Sequence, residues 1–316
     1  MSYKIGSFNM YKLNFRSDRE IKKDFELIAR IIRDENFDVV AMQEVFTPHA
    51  MEEIVRYLGP KKWRYSWEAP ISRTAQSAEG YAFLWRTGTN GLVLNETNDK
   101  NGYARKNPRI LNEYSCNHNH SKVMIRPPYY ASFYTKNCFA EIRIINAHIH
   151  FGSNSTIDKE RRREEFRLMA NNMYERLSQR PDGHNRAIYT IILGDYNLNL
   201  RGSCTSGPYM NDAINILYKG REETLLTVQN ELTTLKRKED ENFGEDDPNN
   251  GYSQNYDHCS YGMNRFSGVN IRALKIDAVK KYTENNFARF KREVSDHVPI
   301  VAELELNSRL AFGNNI

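Results

Sequence analysis

Cysteine is scarce in this chain: four in 316 residues, at Cys116, Cys138, Cys204 and Cys259, with none close enough to another to read as a metal-binding pair. They are expected to be reduced thiols. Long hydrophobic runs are missing too. No window approaches the roughly 20 apolar residues of a membrane helix, so no membrane partner is expected. Met1-Ser2-Tyr3-Lys4 leads straight into a strand pattern without a leader-like apolar core, and a cytoplasmic location is expected. Nor does either charge sign dominate. Forty-five Lys and Arg stand against 40 Asp and Glu, a net charge of +5, which favours polyanionic partners without demanding one.

What is present is an ordinary globular composition, 40% hydrophobic and 27% charged, enough for a sizeable core. Tyr3 to Phe8 alternates as a strand. Asp18 to Asn36 carries Ile21, Phe25, Ile28, Ile31 and Ile32 at helical spacing. Val39 to Met42 is a short buried strand, and Pro48 to Leu58 a second helix. Tyr81 to Trp85 and Gly91 to Leu94 read as a strand pair turning at Thr87-Gly88-Thr89-Asn90. Ala131 to Tyr134 and Glu141 to Ile145 read as another, turning at Lys136-Asn137. Asp158 to Leu177 is a long charged helix, Ile188 to Leu193 a buried strand, and Val298 to Leu306 the last strand. This alternation makes the class α/β with helices outside. The polar, acidic stretch from Lys236 to Gln254 reads as a loop.

Polar residues recur where these strands stop, which is where an α/β scaffold builds sites. Asn9 closes the first strand. Gln43-Glu44-Val45 closes the second; Glu44 is either a magnesium-type ligand or an acid at a helix N-terminus. Asn146-Ala147-His148 closes another, with His150 two residues on and read as structural. Leu193-Gly194-Asp195-Tyr196-Asn197 follows the most apolar strand. In extended backbone Asp195 and Asn197 face one way and orient water and phosphate; the plainer reading is an Asx-turn. Ser295-Asp296-His297 precedes the last strand. His297 titrates near neutrality and suits acid or base work, given a carboxylate to fix its tautomer; Asp257 in Asn255-Tyr256-Asp257-His258 is the candidate. If extended, Asp296 and His297 diverge. Arg161-Arg162-Arg163 lies among glutamates and reads as a solvated face.

In this order, Asn9, Gln43-Glu44, His148, Gly194-Asp195-Tyr196-Asn197 and Ser295-Asp296-His297 resemble the endonuclease/exonuclease/phosphatase superfamily, over residues 3 to about 306. Within it the chain looks most similar to pancreatic-type deoxyribonuclease: Glu79-Gly80-Tyr81-Ala82-Phe83-Leu84-Trp85-Arg86, Arg126-Pro127-Pro128 and Asn255-Tyr256-Asp257 match that branch's segments. The resemblance implies a single domain over 1–316, with variable loops at about 95–122 and 202–254. It implies a four-layer α/β/β/α sandwich of two mainly antiparallel sheets flanked by helices. It implies that Glu44 and Asn9 hold Mg2+ (or Mn2+ or Ca2+), with Asp296 as a second ligand. His148 and His297 flank the scissile phosphate, oriented by Glu79 and Asp257. Asp195 and Asn197 position water and phosphate, and Arg126 and Tyr81 support phosphate binding. Two groove-reading residues of that branch are replaced: Phe46 follows Val45, and Thr74-Ala75-Gln76-Ser77-Ala78 precedes Glu79. The branch's disulfide pair is also absent.

The function implied is a magnesium-dependent endonuclease that nicks DNA to leave 5′-phosphate and 3′-hydroxyl ends. Its partner is nucleic acid, and an inhibitory or regulatory partner is not identifiable. The alternatives are a phosphoesterase acting on phosphoinositides or other small phosphates, an RNA or single-strand nuclease, and an effector with a vestigial site. The complete residue set argues against the last.

Overall fold

The computed structural model describes residues 1–15, 23–69, 79–88, 92–95, 107–112, 124–136, 139–181, 186–200, 216–236, 251–266 and 269–306. In chain order the elements are β1 (Ser2–Leu13), α1 (Phe25–Asp34), β2 (Val39–Val45), α2 (Pro48–Leu58), β3 (Trp63–Glu68), β4 (Gly80–Arg86), β5 (Leu92–Leu94), β6 (Arg109–Ile110), β7 (Tyr129–Thr135) and β8 (Ala140–His148). Then come α3 (Thr156–Leu168), a π-helical segment (Met169–Tyr174), α4 (Glu175–Gln179), β9 (Ala187–Asp195), β10 (Leu217–Lys219), β11 (Thr224–Val228), β12 (Asp257–Gly262), β13 (Asn270–Lys275), α5 (Ala278–Thr283), α6 (Phe287–Glu293) and β14 (Ile300–Glu305).

Two sheets form the centre. One runs β13-β14-β1-β2-β4-β3; the other runs β10-β11-β12-β9-β8-β7-β5, with β6 against β7. Among the described residues only β1–β2 and β8–β9 pair in parallel; the other ladders are antiparallel. Three apolar clusters make four layers. Ile5, Val39, Phe83, Phe133, Ile144, Leu193 and Leu304 fill the space between the sheets. Leu27, Ile28, Met51, Ile54, Val279 and Phe290 pack helices on the first sheet, and Phe166, Met169, Met173 and Leu177 pack helices on the second. Each such fully buried side chain is worth about 1.5–3 kcal/mol. The expected sandwich is therefore the fold.

Local chemistry sets the ends of the helices. The Asp24 carboxylate accepts the Leu27 N–H (2.9 Å) at the start of α1. Pro48 occupies the first turn of α2, where its missing N–H costs nothing. Ser155 caps α3 by accepting the Asp158 N–H (3.2 Å).

Several expectations need correction. The first helix begins at Phe25, not Asp18: Lys23 and Asp24 are not helical, and 18–22 lie outside the described residues. The long charged helix spans the expected range but passes through the π-helical segment. Tyr81–Trp85 and Gly91–Leu94 are not a pair. Within β4, Ala82 to Trp85 pair with β2, while β5 pairs with β7 in the other sheet, so the connection crosses the sandwich. The 202–254 stretch is not loop throughout, because β10 and β11 extend the second sheet. Its remainder and most of 95–122 fall outside the described residues, as do three of the four cysteines. Cys259 is a buried free thiol, its pKa pushed up to about 12 by burial.

Topology explains why the polar strand ends meet. β1, β2, β8 and β9 all finish at one edge of the sandwich. The antiparallel β4 and β12 begin at that edge, because they run the other way. Register then places Asn9 beside Gln43, His148 beside Asp195, and Asp257 on the other side of Asp195.

Candidate active site

A buried polar clamp joins the two sheets beneath this edge. Gln43 Nε2 donates to Asn146 Oδ1 (2.7 Å), and Asn146 Nδ2 donates to the carbonyls of Met42 (3.0 Å) and Ala82 (3.3 Å). Both amides are fully buried, so each unmade bond would carry a desolvation penalty of about 1–3 kcal/mol. The sequence marked Gln43 and Asn146 only as neighbours of Glu44 and His148.

Asp195 sits at the centre. Its Oδ1 accepts the Asn197 N–H (2.8 Å) and its Oδ2 accepts Asn9 Nδ2 (2.9 Å). The same Oδ2 lies 3.6 Å from His148 Nε2 and 3.7 Å from His297 Nε2, so two imidazoles face one carboxylate oxygen from opposite sheets. Burial raises the Asp195 pKa to about 6, against the pull of both histidines.

Each histidine has its own carboxylate behind it. His148 Nδ1 donates to Glu79 Oε1 (2.6 Å), and His297 Nδ1 donates to Asp257 Oδ2 (2.8 Å). Such a partner fixes the tautomer and leaves Nε2 facing the site. Burial and Arg126 pull the His148 pKa down, but Glu79 and Asp195 outweigh them and raise it. For His297, burial is outweighed by Asp257 and then Asp195, and the pKa lies well above the ordinary value. Glu79 moves the other way: burial opposes its charge, but His148 and Arg126 hold its pKa below the usual range.

The Glu44 side is built from strained backbone. Glu44 has φ +56°, and Tyr11 and Lys12 have φ +43° and +57°. These left-handed residues form an irregularity between Asn9 and Leu13 in β1. It turns two N–H groups inward: Tyr11 N–H donates to Asn9 Oδ1 (3.0 Å), and Lys12 N–H donates to Glu44 Oε2 (3.1 Å). Because a backbone donor holds Oδ1, the amide nitrogen of Asn9 is what faces Asp195 and Glu44. Nearby, Lys23 is buried and donates to the Val294 carbonyl (2.8 Å). Burial lowers its pKa to about 8, against the attraction of Asp296 and Glu44. The sequence reading missed Lys23, since it placed this lysine within the Asp18 to Asn36 helix, where a lysine off the apolar positions reads as solvated.

Other expected site residues fall as follows. Asp195 and Asn197 are not two side chains on an extended strand. Asn197 has φ +49° and makes an Asx-turn on Asp195, and its Nδ2 donates to the Ile149 carbonyl (2.8 Å). Asp296 and His297 do not diverge. The chain bends there, and Asp296 Oδ1 comes to 3.9 Å from His297 Nε2. Burial, with Glu44 adding, raises the Asp296 pKa. Arg126 pairs with Glu79 Oε2 and places Nη1 3.2 Å from His148 Nε2. Tyr81 is buried and stacked on Tyr129 (6.3 Å), so it reaches the site through its neighbours Arg126 and Glu79. His150 is partly buried, its pKa lowered by burial and then by Arg126 and His148.

No protein-family model and no curated protein sequence matches the chain. Solved structures do. An endonuclease/exonuclease/phosphatase family protein from Bacteroides thetaiotaomicron superposes with a TM-score of 0.54 at 16% identity, covering 97% of this chain and 98% of that one. The chain has the endonuclease/exonuclease/phosphatase fold. Truncated TDP2 of Caenorhabditis elegans gives 0.56 at 12% identity, covering 96% and 98%. ANGEL2, a 2′,3′-cyclic phosphatase, gives 0.57 at 13%, covering 96% and 95%. At these identities the likeness speaks for the fold, and the residues must speak for the chemistry.

Proposed function

We propose that this chain is a metal-dependent phosphodiester hydrolase whose substrate is nucleic acid, DNA first, cut to 5′-phosphate and 3′-hydroxyl ends. The observation that carries the reading is the pair of imidazole Nε2 atoms facing one Asp195 oxygen at 3.6 and 3.7 Å, each histidine backed by its own carboxylate. Two proton-transfer groups on either side of one spot suit a reaction in which water loses a proton as the leaving oxygen gains one. Water attacks phosphorus, the bond to the 3′-oxygen breaks, one histidine takes the proton of the water, and the other supplies one to the leaving alkoxide. Arg126, beside His148, and the second N–H of the Asn197 amide offer donors to the phosphate oxygens as charge develops.

The residues also fit a hard divalent cation. Asp296 Oδ1 is buried and accepts no hydrogen bond from a described residue, and the Glu44 carboxylate raises the cost of charging Asp296. One cation held by both would offset that cost. A second donor set, Glu44, Glu79 and His148, has its ligand atoms within 4.8 Å of one another. We favour Glu44 and Asp296, because Glu79 is already committed to His148 and Arg126. Asn9 then serves by holding Glu44 and Asp195 in place. Mg2+, or Mn2+ or Ca2+ in its stead, supplies charge neutralisation at the phosphate when bound.

The direct test is purified protein with supercoiled plasmid and magnesium, beside EDTA and His148→Ala controls. Nicked and then linear plasmid in the first alone supports the reading. Intact plasmid with release of phosphate from an inositol phosphate moves the substrate to a small phosphoester, and cleavage of single strands alone moves it to that class. Glu44→Gln should weaken Mg2+ binding by roughly tenfold or more in calorimetry and slow nicking by roughly a hundredfold. Unchanged affinity would remove Glu44 from the metal site.

Asp257→Asn tests the histidine assignment. Asp257 is the strongest influence raising the His297 pKa, so its neutral replacement must lower that pKa. One limb of the pH–rate profile should move to lower pH by roughly one unit or more. Movement of the acid limb identifies His297 as the base, and movement of the alkaline limb identifies it as the acid. Superimposable profiles would remove Asp257 from the mechanism.

A further inference from the structure

His258 follows the candidate catalytic Asp257 on β12 and is fully buried, its ring tilted against Tyr196 at 5.3 Å. Its Nε2 lies 2.7 Å from the Leu198 carbonyl oxygen, and its Nδ1 lies 3.0 Å from the Gln229 carbonyl oxygen. Both partners can only accept. A neutral imidazole carries one N–H, so one of these contacts would set a nitrogen lone pair against an oxygen lone pair in a site closed to water. The imidazolium carries two N–H groups and satisfies both.

The two carbonyls belong to the turns that shape the site. Leu198 follows Asn197, whose N–H binds Asp195 and whose backbone is left-handed. Gln229 directly follows β11, also left-handed at φ +76°, and its Nε2 donates to the carbonyl of Asp257 (3.0 Å). One ring therefore ties the turn of Asp195 to the strand end of Asp257, across β12 and from behind the pair that Asp257 makes with His297. Strained turns persist where their surroundings over-determine them, and His258 is common to both.

We propose that His258 is a positioning residue: a buried imidazolium that staples the Asp195–Asn197 turn to Asp257 and so sets the spacing between Asp195 and His297. Burial is the strongest influence on this ring and holds its pKa below the ordinary histidine value. Against it stand the two carbonyl acceptors and the Asp257 carboxylate on the same strand. The Asn255 backbone also favours the charged ring, and Leu198, Tyr196 and Gln229, which pack on it, carry no charge at pH 7. Geometry favours the charged form against that burial, since two carbonyl acceptors face the ring and the neutral ring has no second donor to offer. The kinetic consequence rests on the phosphodiesterase reading; the protonation state does not.

The test has two arms. In wild-type protein labelled with 15N-histidine, long-range proton–nitrogen spectra at pH 7 should show protons on both ring nitrogens of His258, assigned by their loss in His258→Gln. Raising the pH should remove one of them and shift the amides of Asn197 and Gln229 together. A single-proton tautomer at pH 7 overturns the proposal. In the second arm, His258→Gln, which keeps one donor, should lower kcat for plasmid nicking by about tenfold with KM unchanged, and His258→Phe should lower it further. Wild-type kcat in His258→Phe overturns the positioning role. A wild-type protein that leaves plasmid intact counts against the nuclease reading alone, and the spectra still decide the staple.

Discussion

Asp195→Asn is expected to slow the proposed phosphodiester cleavage by roughly a thousandfold or more, and to change how stability depends on pH. The rate effect follows from position. Asp195 Oδ2 is the oxygen on which both imidazole Nε2 atoms and the Asn9 amide converge. An amide there either keeps an oxygen toward Asn9 and turns its NH2 against the Asn197 N–H, or does the reverse. It also withdraws the negative charge that raises both histidine pKa values. The stability effect follows from linkage. The folded-state pKa of Asp195, about 6, lies above its ordinary value of 3.8. A carboxylate raised in this way binds its proton more tightly when folded, so its ionisation costs stability as pH climbs through that window. The histidines act in the same sense: their raised pKa values contribute stability that is complete below their unfolded values and lost as pH rises through the folded ones. Whatever fixed cost the misplaced NH2 adds is common to every pH. The melting temperature of Asp195→Asn relative to wild type should therefore rise between pH 4.5 and pH 7. A difference that stays constant across that range would show that the charge of Asp195 is not what the fold works against.

That conflict between charge and burial was partly legible in the chain. Apolar runs such as Ile188 to Leu193 announce strands, and a carboxylate directly after one announces a site at the strand end. Asn9, Glu44, His148 and Asp195 were found this way, and the parallel β1–β2 and β8–β9 pairs explain why they meet. What the pattern did not carry is partner choice and backbone handedness. A three-residue strand such as β5 has too little periodicity to say which sheet it joins, and proximity in sequence suggested β4 wrongly. Tyr11 and Lys12 look like ordinary strand residues, yet they take left-handed conformations because their N–H groups find Asn9 and Glu44. Nothing local reports that reward. Lys23 and His258 were passed over for a related reason. Lysine is mostly solvated and a histidine in a Tyr-Asp-His string is mostly a turn residue, and only the tertiary structure surrounds the first with carboxylates and the second with carbonyls.

Gly194 joins the fold to the site tightly, and Gly194→Ala is expected to be the most damaging glycine-to-alanine change among the described residues. Gly194 has φ +150°, a conformation closed to residues with a side chain. A Cβ built there would lie 1.9 Å from the Ala147 carbonyl oxygen and 2.8 Å from its carbonyl carbon. These are backbone atoms in the last-but-one pair of the β8–β9 ladder, so no rotamer relieves the clash. Either the strands part or the peptide turns over. Both outcomes move His148 and Asp195, the next residue in each strand and a register pair. The expected cost is about 4 kcal/mol or more, at the far end of single-substitution effects, with activity lost along with stability. Gly59→Ala separates the two causes. Gly59 also has positive φ, at +99°, but a Cβ there meets nothing within 4 Å, so backbone strain acts alone, at about 1–2 kcal/mol. If both variants melt within a few degrees of each other, the close approach of β8 to β9 is not what demands glycine at 194. A large gap, with Gly194→Ala far the lower, ties the glycine of the Leu-Gly-Asp-Tyr-Asn string to the spacing that brings His148 against Asp195.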